Sequence, residues 1–530
     1  MAGKHSWHRQ ARGCAALAGT LVLLGCTSTS VSSSQGEGRS SSLVVGVTGD
    51  TSSLNPQNCA PIIYCLPVYS ALVGQNADGA FVPDLATNWK FTDAKHTTLQ
   101  LTLRKNAYFT DGSALTASSV VASLNVFRNT PGPGQANAKP VDGITAVGVG
   151  TVDIHYSTPV TRAFAEWQLT VQNGFGAIIG PKGLANAKSL DTTSDGIGPY
   201  KLDAQQTTQG VQYAYVPNGR YFNQDAIKYN EVILKPMQNT SSRLSAIESG
   251  QIDWAQGISQ GNVSAAEAAG LHVSEGKLGA SPAGSPMLVL AQRTSGPLAD
   301  VRVRQAISYA VPRSEITKAV YGTSATPTSS MVPQGAEGYN AADTNLYAYN
   351  SSKAKQLLAQ AGYPNGLTLE VYDPSFFDTG NELGQALESA LANVGIRVKL
   401  VTSDAPPGTV VQQVEEGKYA AYIWDAGATG LSSLAYVNFE SGAYMNPFKV
   451  PSDAQLDQLL QKAALSATAE GQEQGMQAAT ARLDELEWAV PIATVPTFQA
   501  TQKNVTNVPQ QFYTRDLNPF SSVTSRNWYS

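Results

Sequence analysis

Histidine is scarce in this chain of 530 residues, charge is thin, and cysteine is nearly absent. Five His occur, and only His96, His155 and His272 lie beyond the first 25 residues. These three stand in separate segments without an i,i+4 partner or a carboxylate cluster. No metal site is assigned, and each is expected to be solvated or satisfied in the core. Charged residues make up 14% of the chain, and the formal net charge is −5. A mildly acidic body argues against nucleic acid, which demands a basic face, and against electrostatic docking on anionic lipid. No apolar run reaches the ~18–20 residues a membrane-spanning helix needs. Hydrophobic residues, at 42%, still supply ample core for a globular chain of two or three domains.

Catalytic signals are equally thin. Gly257-Ile258-Ser259-Gln260-Gly261 matches G-x-S-x-G. A nucleophile elbow needs a strand before it, a helix after it, and a later acid and His. The only later His is His272, and no apolar strand is read before Gly257, so a polar, Gly-rich loop is expected. Gly174 to Gly180 has the wrong spacing and context for a dinucleotide loop. Nothing singles out a carboxylate pair for glycoside chemistry. No catalytic residue and no cofactor are assigned.

The N-terminus is the most specific part of what is present. Lys4, Arg9 and Arg12 occur there without an acid, and an apolar run follows from Ala15 to Leu24. The run is too short to cross a bilayer and reads as the h-region of a signal peptide, residues 1–25. It ends in Leu23-Leu24-Gly25-Cys26, which resembles the bacterial lipobox. That resemblance implies that Cys26 is lipidated and becomes the first mature residue. The following TSTSVSSSQGEGRSSS lacks apolar periodicity, so residues 26–42 are expected to be a lipidated Cys and a flexible tether. Loss of residues 1–25, with their three basic side chains, takes the net charge from −5 to −8. The body is expected at the extracytoplasmic face of the cell membrane, lipid-anchored without spanning it.

Four Cys occur; Cys14 leaves with the signal, and Cys59 and Cys65 remain beyond Cys26. In an oxidising compartment the C-x5-C pair is expected to form a disulfide. Two buried thiols or a metal site are the alternatives, and no His lies near the pair in sequence.

Periodicity predicts an α/β chain. Leu43 to Val47 reads as a buried strand, Val68 to Val73 as the start of a helix, and the alternation at 99–104 as a half-exposed strand. Asp111-Gly112 reads as a tight turn, and Thr116 as the cap of a helix over 117–127. Further helices are expected at 241–248, 301–310, 314–321, 351–361, 454–465 and 475–488, several stopped by Gly. Leu367 to Tyr372, a helix over 380–394 and Arg397 to Val401 read as a βαβ unit with parallel strands.

Several ordered blocks carry a family resemblance: residues 68–127, GIGPYKL (196–202), RLSAIESGQIDWAQG (243–257), GPLADVRVRQAISYAVPRSEITKAVYG (296–322) and AKQLLAQAGYPNGLTLEVY (354–372). Together they resemble the family 5 extracellular solute-binding proteins of ABC importers. The resemblance implies a periplasmic-binding-protein-like two-lobed fold with an extra domain and a ligand cleft at the hinge between lobes. Domain I would be 43–67, 194–285 and 496–530, domain II 68–193, and domain III 286–495. Asp300 is expected to begin a helix, and Arg302 and Arg304 to pair with acids in the core between domains. Ser119 and Pro312 stand where the family usually has Asp and are read as local capping changes.

By the same resemblance the function is capture of a short peptide by hinge closure and delivery to ABC permease subunits, by a monomer that is not an enzyme. Candidate ligand contacts are Thr48, Gly49, Asp50 and Asn55 on the first loop, with Trp424, Asp425, Ala426, Gly427, Tyr444 and Asn446 on domain III. Peptide receptors of this family hold the ligand's α-amino group with an Asp three residues after a Trp. Here Trp424 matches but that position is Gly427, and Asp425 would point elsewhere in strand register. A modified peptide, an opine, a sugar, haem or a metal chelate is the alternative ligand, and a secreted hydrolase the third reading.

Overall fold

The computed structural model describes residues 42–505, apart from 60, 77–79, 131–134, 136–137, 276–283, 376, 378, 406, 427–429, 440–442, 444, 447, 452 and 467. The signal peptide, Cys26, the tether up to residue 41, Gly427 and Tyr444 lie outside the described residues.

Three main sheets organise the chain. In a seven-stranded sheet Leu43–Val47 runs centrally, parallel to Val232–Pro236 on one side and Trp254–Ile258 on the other. Tyr213–Pro217 and Tyr200–Leu202 extend the first side antiparallel, and Phe498–Thr501 and His272–Glu275 the second. Asp253 fastens the centre. Its carboxylate accepts from Val44 N–H at 2.8 Å, and its own N–H donates to Val44 carbonyl at 2.7 Å.

A four-stranded antiparallel sheet has the order Ala86–Phe91, Thr98–Leu103, Thr151–Tyr156, Val141–Ala146. The alternation read from sequence buries Leu99, Leu101 and Leu103. Helix α1 (Ala117–Asn129) packs on this sheet through Val120, Leu124 and Phe127. Thr116 and Ser119 cap it reciprocally, each hydroxyl accepting the other's N–H. Ser119 therefore does a capping carboxylate's work, while Pro312 supplies no side-chain cap to its helix.

A third sheet has the order Ile396–Ser403, Leu367–Pro374, Ala421–Asp425, Pro286–Leu290, Ala489–Pro491. Leu367–Pro374 is parallel to both neighbours, and helix α2 (Glu382–Ala392) is the crossover of the expected βαβ unit. Helices α3 (Ala454–Ala464) and α4 (Ala469–Leu486) form a close pair in this half of the chain. A Cβ on Gly475 would lie only 2.6 Å from that of Ala463. Cys59 and Cys65 form a disulfide.

Three expectations need correction. Residues 68–72 are not helical; they leave a turn at 65–68 and pass through an isolated bridge at Ala71 and a bend into the short strand Val73–Gln75. All are buried, and their backbone is taken by other segments: Gly198 N–H donates to Val68 carbonyl, and Leu72 N–H to Gly176 carbonyl. Apolar content alone cannot tell such a segment from a buried helix. Gly257 is no polar loop but part of the strand Trp254–Ile258, at φ +59° beside a register shift against Phe498–Thr501. Glycine permits that bulge. Arg302 pairs with Asp300 at the surface. Arg304 is buried and donates to the carbonyls of Leu486 and Leu298.

Candidate functional site

In open sheets with parallel strands, ligands bind beyond the carboxyl ends of those strands. Two such ends are present. Thr48–Asn58 follows Leu43–Val47 in the first sheet, and Ala426 follows Ala421–Asp425 in the third. Pro286 pairs with Asp425, so the crossing between the sheets starts at that same end. The returning crossing pairs with it, since Gly284 and Val495 exchange N–H and carbonyl bonds of 2.9 and 2.8 Å. The two halves are thus joined by a short antiparallel ribbon beside one strand end.

The first loop is held largely by its own polar groups and by tyrosines. Asp50 is exposed, and its carboxylate accepts from Thr51 N–H at 2.8 Å and from Tyr213 hydroxyl at 2.9 Å. Gly49 carbonyl accepts from Tyr64 hydroxyl at 2.6 Å. The Tyr64 and Tyr213 rings meet edge to face at 4.7 Å. Burial, with Asp50 adding to it, pushes the Tyr213 hydroxyl up to about 12 and raises Tyr64 further, so both stay neutral donors. Asn55 is buried, and its amide oxygen receives Gln57 N–H at 3.1 Å in an Asx turn. Thr48 is exposed.

On the third sheet Trp424 is buried against Phe377, with ring centroids 4.4 Å apart, and edge-on to Tyr422. Asp425 carboxylate accepts from Ser285 N–H at 2.8 Å, and Ala426 N–H donates to Ser285 carbonyl at 3.2 Å. The carboxylate is therefore engaged at the crossing ribbon. Asn446 is buried, with its amide bridging to Val450 N–H and carbonyl. The sequence reading missed Arg293, a buried guanidinium stacked 4.5 Å over Trp488 and 3.5 Å from Asn446 Oδ1. Burial lowers it to about 10, so it still carries its charge at neutral pH. Val437 packs against the core of this half and also against that of the other. A cavity of about 500 Å³ lies among residues 311–349 and Thr494, with Tyr339, Tyr347 and Tyr349 in its wall.

Hydroxyl donors, backbone edges and aromatic faces suit the holding of a small polar molecule. Among the described residues, no group of three or more His, Cys, Asp or Glu is placed to hold a metal ion, and no helix is long and apolar enough to cross a membrane.

The model of the bacterial extracellular solute-binding proteins, family 5 (middle region), matches residues 80–443. The chain is similar to the glutathione-binding protein GsiB of Salmonella choleraesuis strain SC-B67, at 25% identity over 373 residues, 68% of this chain and 70% of that protein. Among solved structures it is similar to the A. tumefaciens R10 binding protein AgaA in complex with agropinic acid, with TM-score 0.78, 24% identity and coverage of 92% and 98%. It is likewise similar to Helicobacter pylori DppA in complex with the peptide STSA, with TM-score 0.76, 20% identity and coverage of 90% and 98%.

Proposed function

The chain belongs to the bacterial extracellular solute-binding proteins of family 5, and on that premise we propose that it captures short peptides between two lobes and hands them to the permease of an ABC importer. Domains I (43–67, 194–285, 496–530) and II (68–193) form one lobe in this reading, and domain III (286–495) the other. One observation carries it. Two sets of parallel strands present their carboxyl-end loops on either side of the ribbon at Gly284 and Val495, the arrangement a hinged clamp requires. Closure is driven only by contacts that the closed state makes. The ligand leaves unaltered, so no turnover is expected. Peptide backbone would be held by main-chain groups, with Asp50, Trp424 and their neighbours shaping the ends. The chain works from the outer face of the membrane, anchored through Cys26.

A second reading is a ligand without a free α-amino group, such as an opine or a blocked peptide. It is favoured by Asp425, whose carboxylate is engaged with Ser285 N–H. The test is native mass spectrometry of whatever co-purifies with the chain produced without its lipid. Peptides of a few residues support the first reading, and a single non-peptide mass the second. Hydrolysis of ester, peptide or glycoside panels would overturn both.

A further inference from the structure

Far from the hinge in sequence, the lobes touch at an edge made by side chains. His96 lies in the turn between Ala86–Phe91 and Thr98–Leu103, at φ +54°. Asp93 builds that turn by accepting the N–H groups of Lys95, Thr97 and Thr98. The imidazole stacks on Phe91 with 4.6 Å between centroids and 11° between planes. Its Nδ1 lies 2.7 Å from the carbonyl oxygen of Ala464. A carbonyl only accepts, so Nδ1 carries the hydrogen. Ala464 ends α3, where carbonyls lack intrahelical partners and the helix dipole is negative.

A second contact lies beside the first. Thr161 hydroxyl accepts Phe164 N–H as the cap of helix Arg162–Gln168, and the same side chain acts on the Glu337 carboxyl, favouring its charged form. Val160 N–H donates to His96 carbonyl, so on this side the two contacts form one linked edge. On the other side Glu337 accepts from Ser432, and the next residue, Gly338, donates its N–H to Glu473 and accepts from Thr480, both on α4. Ala464 thus belongs to α3, and Glu337 to a loop fastened to α4, which packs on α3.

We propose that this edge is a latch. His96 grips the end of α3, with Thr161 facing Glu337 beside it, in the closed form only, and His96 is a positioning residue for ligand retention although it is assigned no ligand contact. The proposal rests on the hinge-closure reading above. A contact made in one state alone shifts the equilibrium toward that state by its full free energy. Loss of one such hydrogen bond is expected to speed ligand release roughly two- to tenfold.

The test uses His96→Gly, which suits the positive φ and removes only the ring. The probe is the short-peptide fraction of a tryptic casein digest, read by small-angle scattering, peptide off-rate and melting temperature. The expected variant melts with the wild type, is more expanded without peptide, and releases peptide faster. A wild type that contracts on peptide while His96→Gly matches it in scattering and off-rate overturns the latch alone. A variant that only melts lower, at unchanged scattering and off-rate, makes His96 a turn residue and overturns it too. A wild type that neither binds nor contracts overturns the capture reading, and the latch with it.

Discussion

Two of the places where the lobes meet are built from different bonds. At the hinge, backbone pairs with backbone: Gly284 with Val495, and Ser285 with Ala426, with one carboxylate, Asp425, added. At the far edge side chains meet the other lobe: the His96 imidazole donates to a helix end, and Thr161 stands by the half-buried Glu337 carboxyl. Backbone pairing tolerates most substitutions, because every residue carries the same groups. A side-chain contact is lost with one residue. On the hinge-closure reading, the hinge is the part that any such sequence can make, and the far edge is where this chain would set its own closing tendency.

That contrast is tested first at a hinge glycine where an added side chain would intrude on the backbone pairing. The largest effect is expected from Gly284→Ala, whose Cβ would stand 2.6 Å from Asp425 Oδ2. Denaturant unfolding should show a loss of roughly 1–3 kcal/mol, with weakened peptide binding; an unchanged variant would mean the ribbon yields freely. Asp425→Asn comes next. It replaces a charge-assisted bond to Ser285 N–H by a neutral one, at about 1 kcal/mol, and hydrogen exchange at Ser285 should quicken. If N-acetylated peptides then bind as before while free-amino peptides fail, Asp425 is an amino anchor, contrary to its hinge placement.

A smaller effect is expected from pH. Burial raises the Glu337 carboxyl above its ordinary range and Glu473 adds to the rise, against the hydrogen bond from Ser432 and the nearby Thr161 side chain. On the latch reading, opening returns Glu337 to water and its carboxyl toward the ordinary range, so closure binds the proton. The contribution is complete at mild acid and is lost as pH rises through that raised value. Peptide affinity should fall correspondingly, and Glu337→Gln should flatten the profile; a wild-type profile already flat through that range would remove Glu337 from the latch. Smallest of all on the lobe equilibrium is reduction of Cys59–Cys65. It closes a short loop within one lobe, so about 2 kcal/mol of stability should go, while scattering and off-rate stay unchanged.

Much of the scaffold was legible in the sequence. The alternation at 99–104, the capped helix after Thr116 and the βαβ unit from Leu367 all rest on local periodicity and local caps, which act wherever the segment sits. The first loop was legible as a loop at a strand end. The bonds that shape it were not, because Tyr64 reaches Gly49 from the short helical turn Ile62–Tyr64 and Tyr213 reaches Asp50 from another strand. His96 was read as solvated or satisfied in the core. Its surroundings, TDAKHTT, announce a turn and nothing more, since its partner is a backbone carbonyl 368 residues away that any residue would present. Residues 68–72 failed for a related reason: buried on every side, they carry no period to read.

By itself, then, the sequence determined the elements: hydrophobic spacing, caps and turn residues are short-range physics, written within a few residues of where they act. Tertiary structure alone decided which carboxylate fastens the hinge, which tyrosines hold the first loop and which imidazole meets a helix end. Each of these is a hydrogen bond between groups brought within 3 Å by the packing of distant segments, and no local pattern encodes that meeting.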